Sequence, residues 1–264
     1  MSCMIKKISF YWILATSISA CSDPVKVLQP ETITIYHIDE IVSVQDTLVK
    51  PILYKNIPPF EGLPVEKSKE RFISSILPAV LIAKHHLKTD RQKVEALIDK
   101  NEWSPEDSSF FNQQMEKFQA KDHENLLLKM ETHPNSITLA QAAVESGWGS
   151  SRFFREANNL FGIWAYKADE PRIPANHNNV YLRKYDDISQ SIEDYFVTLG
   201  RARPYRQFRQ AKYYTDDIHE LLPHLKYYSE RGMAYVAQLK TIIRQNELTK
   251  YDNYQLDPTY FIEE

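Results

Sequence analysis

The chain has 264 residues, 43% hydrophobic and 25% charged, with a formal net charge of −3. That is enough apolar material for one globular domain with added segments, and it lacks the basic excess of a nucleic-acid binder. The 16 Tyr and 4 Trp are amphipathic rings that suit sugar faces as well as a core.

In chain order, Lys6 and Lys7 precede an apolar run from Ile8 to Leu14 and then small residues. The run is too short to span a bilayer, which takes about 20 apolar residues. Charge, short apolar stretch and small residues together predict an export signal over residues 1–20. Ile18-Ser19-Ala20-Cys21 resembles a bacterial lipobox. That resemblance implies a lipid on Cys21, and Ser22 after it implies sorting to the outer membrane, facing the periplasm. Cys3 would leave with the signal, so no internal disulfide is available. Residues 21–65 scatter Pro24, Pro30, Pro51, Pro58, Pro59 and Pro64 among β-rich pieces such as residues 32–36. They are expected to form an extended tether with a strand or two.

Helical spacing begins near Ser68, with Phe72, Ile73, Ile76, Leu77, Val80 and Leu81 on one stripe. Pro78 predicts a kink or a restart, and a second helix is expected over residues 91–100. Residues 101–122 are polar around Trp103 and are expected to add a further helix. Residues 66–130 thus read as an N-terminal helical extension. The next helix is expected to be capped by Asn135 or Ser136, to bury Ile137, Ala140 and Val144, and to end at Gly147. Glu145 then sits in the last turn, among orphan carbonyls that carry partial negative charge. That position, with partial burial near Trp148, raises a carboxyl pKa, as a general acid at neutral pH requires.

Further on, Val180 to Tyr185 reads as a strand, with a hairpin partner near Ile173-Pro174. Asp186 or Asp187 can cap a helix striped by Ile188, Ile192, Tyr195, Phe196 and Leu199. Another helix holds Ile218, Leu221, Leu222 and Leu225, and the last follows Ser229 with Val236, Leu239, Ile242 and Ile243. The fold class is mainly α (α+β) with a small β-hairpin. Residues 131–250 form the principal domain and residues 251–264 a tail.

Two blocks carry a family resemblance: Glu-Ser-Gly-Trp-Gly at residues 145–149, preceded by Gln-Ala-Ala-Val, and Asn-Asn-Leu-Phe-Gly at residues 158–162. Together they resemble glycoside hydrolase family 73, the N-acetylglucosaminidases of flagellar peptidoglycan hydrolases and autolysins. Arg183 to Asp186 and Ser191 to Tyr195 are similar to that family's strand and following helix. Tyr228-Ser229 with Tyr235 is similar to its C-terminal tyrosine motif. Lys69 to Arg91 resembles a Bax-like subgroup. The resemblance implies a lysozyme-like two-lobed domain, peptidoglycan glycan strands as partner and substrate, and cleavage after N-acetylglucosamine; the sequence has no phosphate loop or nucleophile elbow, and no cofactor is expected. It makes Glu145 the acid.

Glycosidic cleavage needs a proton on the leaving oxygen and stabilisation of an oxocarbenium-like centre. For the second task Glu170 is the first candidate carboxylate, ahead of Asp169, Asp186 and Asp187. The alternative is the sugar's own acetamide, oriented by a tyrosine such as Tyr228 or Tyr235. Ser146, Trp148, Asn159, Phe161, Gly162, Trp164, Tyr166 and Tyr235 are candidate substrate-binding residues. The histidines have no metal-site spacing. Two other readings stay open: a muramidase or lytic transglycosylase on the same fold, and a silent wall-binding lipoprotein, which the lack of a clear second acid would suit.

Overall fold

The computed structural model describes residues 26–175 and 179–263. The expected signal peptide and Cys21 lie outside the described residues. The architecture is mainly α with small two-stranded sheets, as the sequence predicts. Among the described residues no helix is long and apolar enough to cross a membrane.

At the centre runs α1 (Val65–Ile98), a single helix of 34 residues and so roughly 51 Å long at 1.5 Å per residue. The sequence predicts a kink or a restart at Pro78 and a new helix near Arg91; no restart occurs at either place, and one helix runs through both. Every residue from Phe72 to Ala83 is buried, so packing on all sides outweighs the hydrogen bond that proline removes. The helix ends where the Trp103 indole N–H donates to the Leu97 carbonyl at 2.7 Å. After it come α2 (Pro105–Lys117), opened by a reciprocal Ser104–Asp107 cap, and α3 (His123–Lys129).

Residues 26–65, the described part of the segment expected as a tether, are instead part of the body. Their strands β1 (Lys26–Leu28), β2 (Glu31–Thr34), β3 (Leu48–Val49) and β4 (Ile52–Lys55) alternate with turns, and β2 pairs with β4 in parallel. Ile35, Ile41, Val49, Ile52 and Tyr54 are each 3% exposed or less. The Tyr54 hydroxyl accepts from the Val42 N–H at 2.9 Å, and the Ser74 hydroxyl on α1 accepts from the Val44 N–H at 3.1 Å. Nor is the C-terminus a free tail. Its strands β7 (Gln255–Leu256) and β8 (Phe261–Glu263) pair with β3 and β1. The prolines mark turns between short strands, and the isoleucines and Tyr54 supply the apolar surface that docks them.

The principal domain follows. It holds α4 (Asn135–Ser146), α5 (Arg152–Ala157), the hairpin of β5 (Arg172–Pro174) and β6 (Tyr181–Arg183), α6 (Ile188–Arg201), α7 (Arg206–Tyr214), α8 (Ile218–Leu221) and α9 (Met233–Gln245). Asp187 caps α6 by accepting from the Ser189 and Gln190 N–H groups. At α4 the expected side-chain cap is replaced. Pro134 occupies the cap position, and Asp252 from the C-terminal segment accepts from the Ser136 N–H at 2.7 Å and the Ser136 hydroxyl at 2.8 Å. α7 has little apolar spacing in sequence, and its burial rests on Phe208 and Arg209.

Phe60 connects the N-terminal segment to the loop after α4. A side chain at Gly149, where φ is +82°, would meet the Phe60 ring at 2.5 Å, and Phe60 packs edge-on to Phe72. Phe60→Ala is therefore expected to cost about 3–5 kcal/mol, the range for emptying a buried aromatic site, as read from urea unfolding. A loss below about 1 kcal/mol would mean that the segment is not integral to the core.

Candidate active site

The helix α4 delivers Glu145. Ile137, Ala140 and Ala143 are buried, which fixes the rotation of the helix. Gly147 ends it in the left-handed conformation at φ +57°, with the Trp148 N–H returning to the Ala143 carbonyl at 2.8 Å. That turn needs glycine, since other residues are strained there. Glu145 lies in the last turn and is partly exposed. Burial raises its carboxyl pKa above the ordinary range, while the Tyr235 hydroxyl and the Arg231 charge oppose the rise.

The Tyr235 hydroxyl donates to Glu145 Oε1 at 2.9 Å. Among the described residues Oε2 makes no hydrogen bond, and it is not buried. One oxygen is thus held and the other is available. Around the pair, the Tyr228 ring stacks on Tyr235 at 5.7 Å and 8°, and Arg231 lies over the Tyr235 ring at 5.5 Å. Burial, then the Glu145 charge, pushes the Tyr228 and Tyr205 hydroxyls up. Both stay protonated at neutral pH.

The second motif builds the hairpin base. Asn159 donates to the carbonyls of Ile163 and Arg183, each at 2.9 Å, and accepts from the Ile163 N–H at 2.9 Å. It is 1% exposed, so the expected ligand contact is corrected to a backbone brace. Phe161 is also corrected, because it is buried and stacks on Tyr195 at 4.0 Å. Ser146 is 1% exposed; its hydroxyl donates to the Ala142 carbonyl and accepts from the Gly149 N–H. Its role is to shape the turn rather than to touch sugar. Tyr235 has no exposed surface for a ligand and acts through Glu145 instead.

Trp148 packs edge-on to Phe72 at 5.5 Å, beneath the turn. Gly162 takes φ +68°, which lets the chain reverse toward β6. Trp164 pairs with Leu182 on the hairpin. Trp164 is 52% exposed and Tyr166 81%, with their rings 6.3 Å apart. Such a pair of open rings can stack on pyranose faces.

Glu170, the candidate second carboxylate, has both oxygens engaged. Oε1 accepts from the Lys167 N–H at 2.9 Å and Oε2 pairs with Arg183 at 3.0 Å. Arg183 also pairs with Asp194 on α6, which accepts from the Tyr185 hydroxyl at 2.7 Å. In the structure Glu170 braces the hairpin through Arg183 and the Lys167 N–H. Among the described residues no second carboxylate contacts Glu145.

Sequence reasoning passed over Gln141, Arg231, Tyr195 and His133 as members of the site. A signal existed for Gln141: it lies four residues before Glu145, on the same helix face, among alanines that leave it conspicuous. Two concavities of about 560 and 580 Å³ lie elsewhere, one between α1 and the C-terminal segment and one between α8 and α9; Glu145 lines neither.

Residues 121–248 match the family model Glucosaminidase, described as mannosyl-glycoprotein endo-β-N-acetylglucosaminidase. Protein bax of Escherichia coli (strain K12) is 22% identical over 193 residues, covering 68% of this chain and 70% of that protein. The exo-glucosaminidase LytG of Bacillus subtilis (strain 168) is 28% identical over 135 residues, 44% of this chain and 45% of its own length. Among solved structures, the catalytic domain of the autolysin Auto from Listeria monocytogenes is 21% identical at TM-score 0.39, covering 60% of this chain and 94% of that one.

The raised carboxyl has a consequence for stability. A carboxyl whose folded pKa exceeds its unfolded value adds stability below the unfolded pKa, and that stability is lost as pH rises through the folded one. Glu145→Gln is neutral throughout, so its Tm is expected to exceed that of the wild type at neutral pH, with the gap closing in acid. An equal gap at every pH would contradict the raised pKa. Tyr235→Phe removes the opposing hydrogen bond and is expected to move the Glu145 carboxyl carbon titration, followed by NMR, to higher pH.

Proposed function

We propose that this glycoside hydrolase acting on peptidoglycan, whose residues 121–248 match the glucosaminidase family model and whose motifs resemble glycoside hydrolase family 73, cuts the β-1,4 bond after N-acetylglucosamine. The observation that carries the reading is Glu145: a partly buried carboxyl at a helix end, bonded through Oε1 and, among the described residues, without a partner at Oε2. In the lysozyme-like fold of the family, Oε2–H donates its proton to the glycosidic oxygen as the C1–O bond breaks. The carboxylate left behind is stabilised by Tyr235 and Arg231.

For the positive charge growing at C1 we favour the sugar's own 2-acetamido group. Its carbonyl oxygen attacks C1 and forms a cyclic oxazolinium. Water then adds to C1 and returns its proton to Glu145. This scheme is a known alternative to paired carboxylates. It is supported by the engagement of both Glu170 oxygens and by the Tyr228 hydroxyl, which makes no hydrogen bond with the described residues and is suited to orient the acetamide. Export and lipidation at Cys21, with placement at the outer membrane facing the periplasm, belong to the same proposal and rest on residues 4–22 of the sequence.

The test is digestion of purified peptidoglycan, with reduced fragments weighed by mass spectrometry. Wild type is expected to release N-acetylglucosamine reducing ends, and Glu145→Gln to be slower by about 10²-fold or more, as for loss of a positioned proton donor. Reducing muramic acid ends would move the cut to the other linkage, and anhydro-muramic ends would make the protein a transglycosylase. Binding without products would make it a silent wall binder.

A second experiment separates the two schemes. Glu170→Gln is expected to keep turnover within about tenfold of wild type, and a thiazoline mimic of the oxazolinium is expected to inhibit competitively. Loss of turnover in Glu170→Gln with rescue by azide would restore Glu170 as the second catalytic carboxylate.

A further inference from the structure

Behind Tyr235 a line of polar side chains runs through the core. Gln141 Nε2 donates to the Tyr235 hydroxyl oxygen at 3.0 Å, and the Tyr195 hydroxyl donates to Gln141 Oε1 at 2.7 Å. Tyr195 Oη then meets His133 Nε2 at 2.9 Å. Gln141, Tyr195, Tyr235 and His133 are each 3% exposed or less. Their hydrogen bonds are therefore made without competition from solvent, and leaving one unmade is costly.

The chemistry of the two ends gives this line a direction. An ionised carboxylate only accepts, so Tyr235 must donate to it. Its oxygen then accepts from the Gln141 amide, which leaves the Gln141 carbonyl to accept from Tyr195. The Tyr195 oxygen in turn accepts from His133 Nε2–H. His133 serves this purpose because burial, then the Lys84 charge, lowers its pKa to about 3. It stays a neutral ring with one N–H across the working pH range, and Nδ1 accepts from Thr138 Oγ1 at 3.4 Å.

Resting on the reading of Glu145 as the acid, we propose that the chain His133–Tyr195–Gln141–Tyr235 is a positioning device for the catalytic proton. It keeps the Tyr235 hydroxyl aimed at Oε1, so the acid's proton sits on Oε2, the oxygen left free for a leaving group. The reversed chain is the unproductive state. In it Glu145 donates from Oε1 to Tyr235, the Gln141 amide is turned over, and His133 donates from Nδ1 to the Pro134 carbonyl, which lies 3.3 Å away. Reversal has to turn four buried groups together, and the Tyr195 hydroxyl is the link that couples the Gln141 amide to His133.

Tyr195→Phe removes that link and keeps the ring that stacks on Phe161. Gln141 can then turn its carbonyl to Tyr235, which shares its donor between Gln141 and Glu145. Other charged or titratable groups felt by or feeling Glu145 are Arg231, Tyr205 and Tyr228, and the substitution leaves all three in place. Two readouts are expected. The kcat on peptidoglycan falls roughly tenfold at unchanged KM, part of the 10²–10⁴ that a positioned proton donor supplies. The Glu145 carboxyl carbon, assigned by its loss in Glu145→Gln and titrated by NMR without substrate, moves to higher pH, and the alkaline limb of kcat moves with it.

A role in packing alone would lower Tm and the active fraction and leave both titrations in place. That result, with Tyr195→Phe folded as wild type by circular dichroism, would overturn the proposal. So would an unchanged kcat. If wild type proves to have no glycosidase activity, the function reading fails, and the substrate-free titration still decides whether the chain controls Glu145. Gln141→Met, which keeps the volume and loses the amide, is the second variant. It is expected to reproduce the NMR shift, and its failure to do so in a folded protein would likewise contradict the chain.

Discussion

The hydrogen bond from Tyr235 to Glu145 joins the end of α4 to α9 across 90 residues of sequence, and the site depends on it. Burial favours the protonated form of the Glu145 carboxyl but does not choose which oxygen carries the proton. In the proposed arrangement the tyrosine makes that choice, because its hydroxyl donates to Oε1 and so favours the proton on Oε2. The two effects act in opposite senses on the carboxyl, burial raising its pKa and the bond lowering it, with burial the larger. An upward shift of this kind is the direction that the proposed general-acid role requires.

Holding that bond requires α4 to be fixed along its whole length. At its start, Asp252 caps Ser136, and the partly buried Lys84 of α1 donates to the His133 carbonyl and to Asn135 Oδ1. At its end, the left-handed turn at Gly147 is backed by Trp148, Phe72 and Phe60. The residues that clamp the helix therefore come from both ends of the chain. This gives a physical reason for the N-terminal segment to lie against the principal domain, where β1 and β3 pair with strands of the C-terminus.

Much of this was legible in the sequence wherever the controlling interaction is local. The turn at Gly147, the cap at Asp187 and the hairpin near Ile173 follow from residue types within a few positions of each other. Glu145 was legible because the motif around it is dense. Interactions between distant segments left weaker traces. The uninterrupted course of α1 through Pro78 depends on neighbours that bury it from every side. The cap from Asp252 comes from 116 residues away. Asn159, Phe161 and Glu170 are residue types that suit a ligand, and only their hydrogen bonds, burial and ion pairs place them in the scaffold. Tyr195 reads as one more apolar position on the stripe of α6, since its hydroxyl matters only beside Gln141 and His133.

The most direct measurement is a crystal structure of the Glu145→Gln protein with a peptidoglycan tetrasaccharide bound. The account predicts the glycosidic oxygen after N-acetylglucosamine within about 2.6–3.2 Å of the residue-145 amide, the reach of a proton donor. It also predicts Tyr235 on the far side of that amide and a sugar ring against Trp164 or Tyr166. A glycan seated elsewhere, with no contact to residue 145, would contradict it.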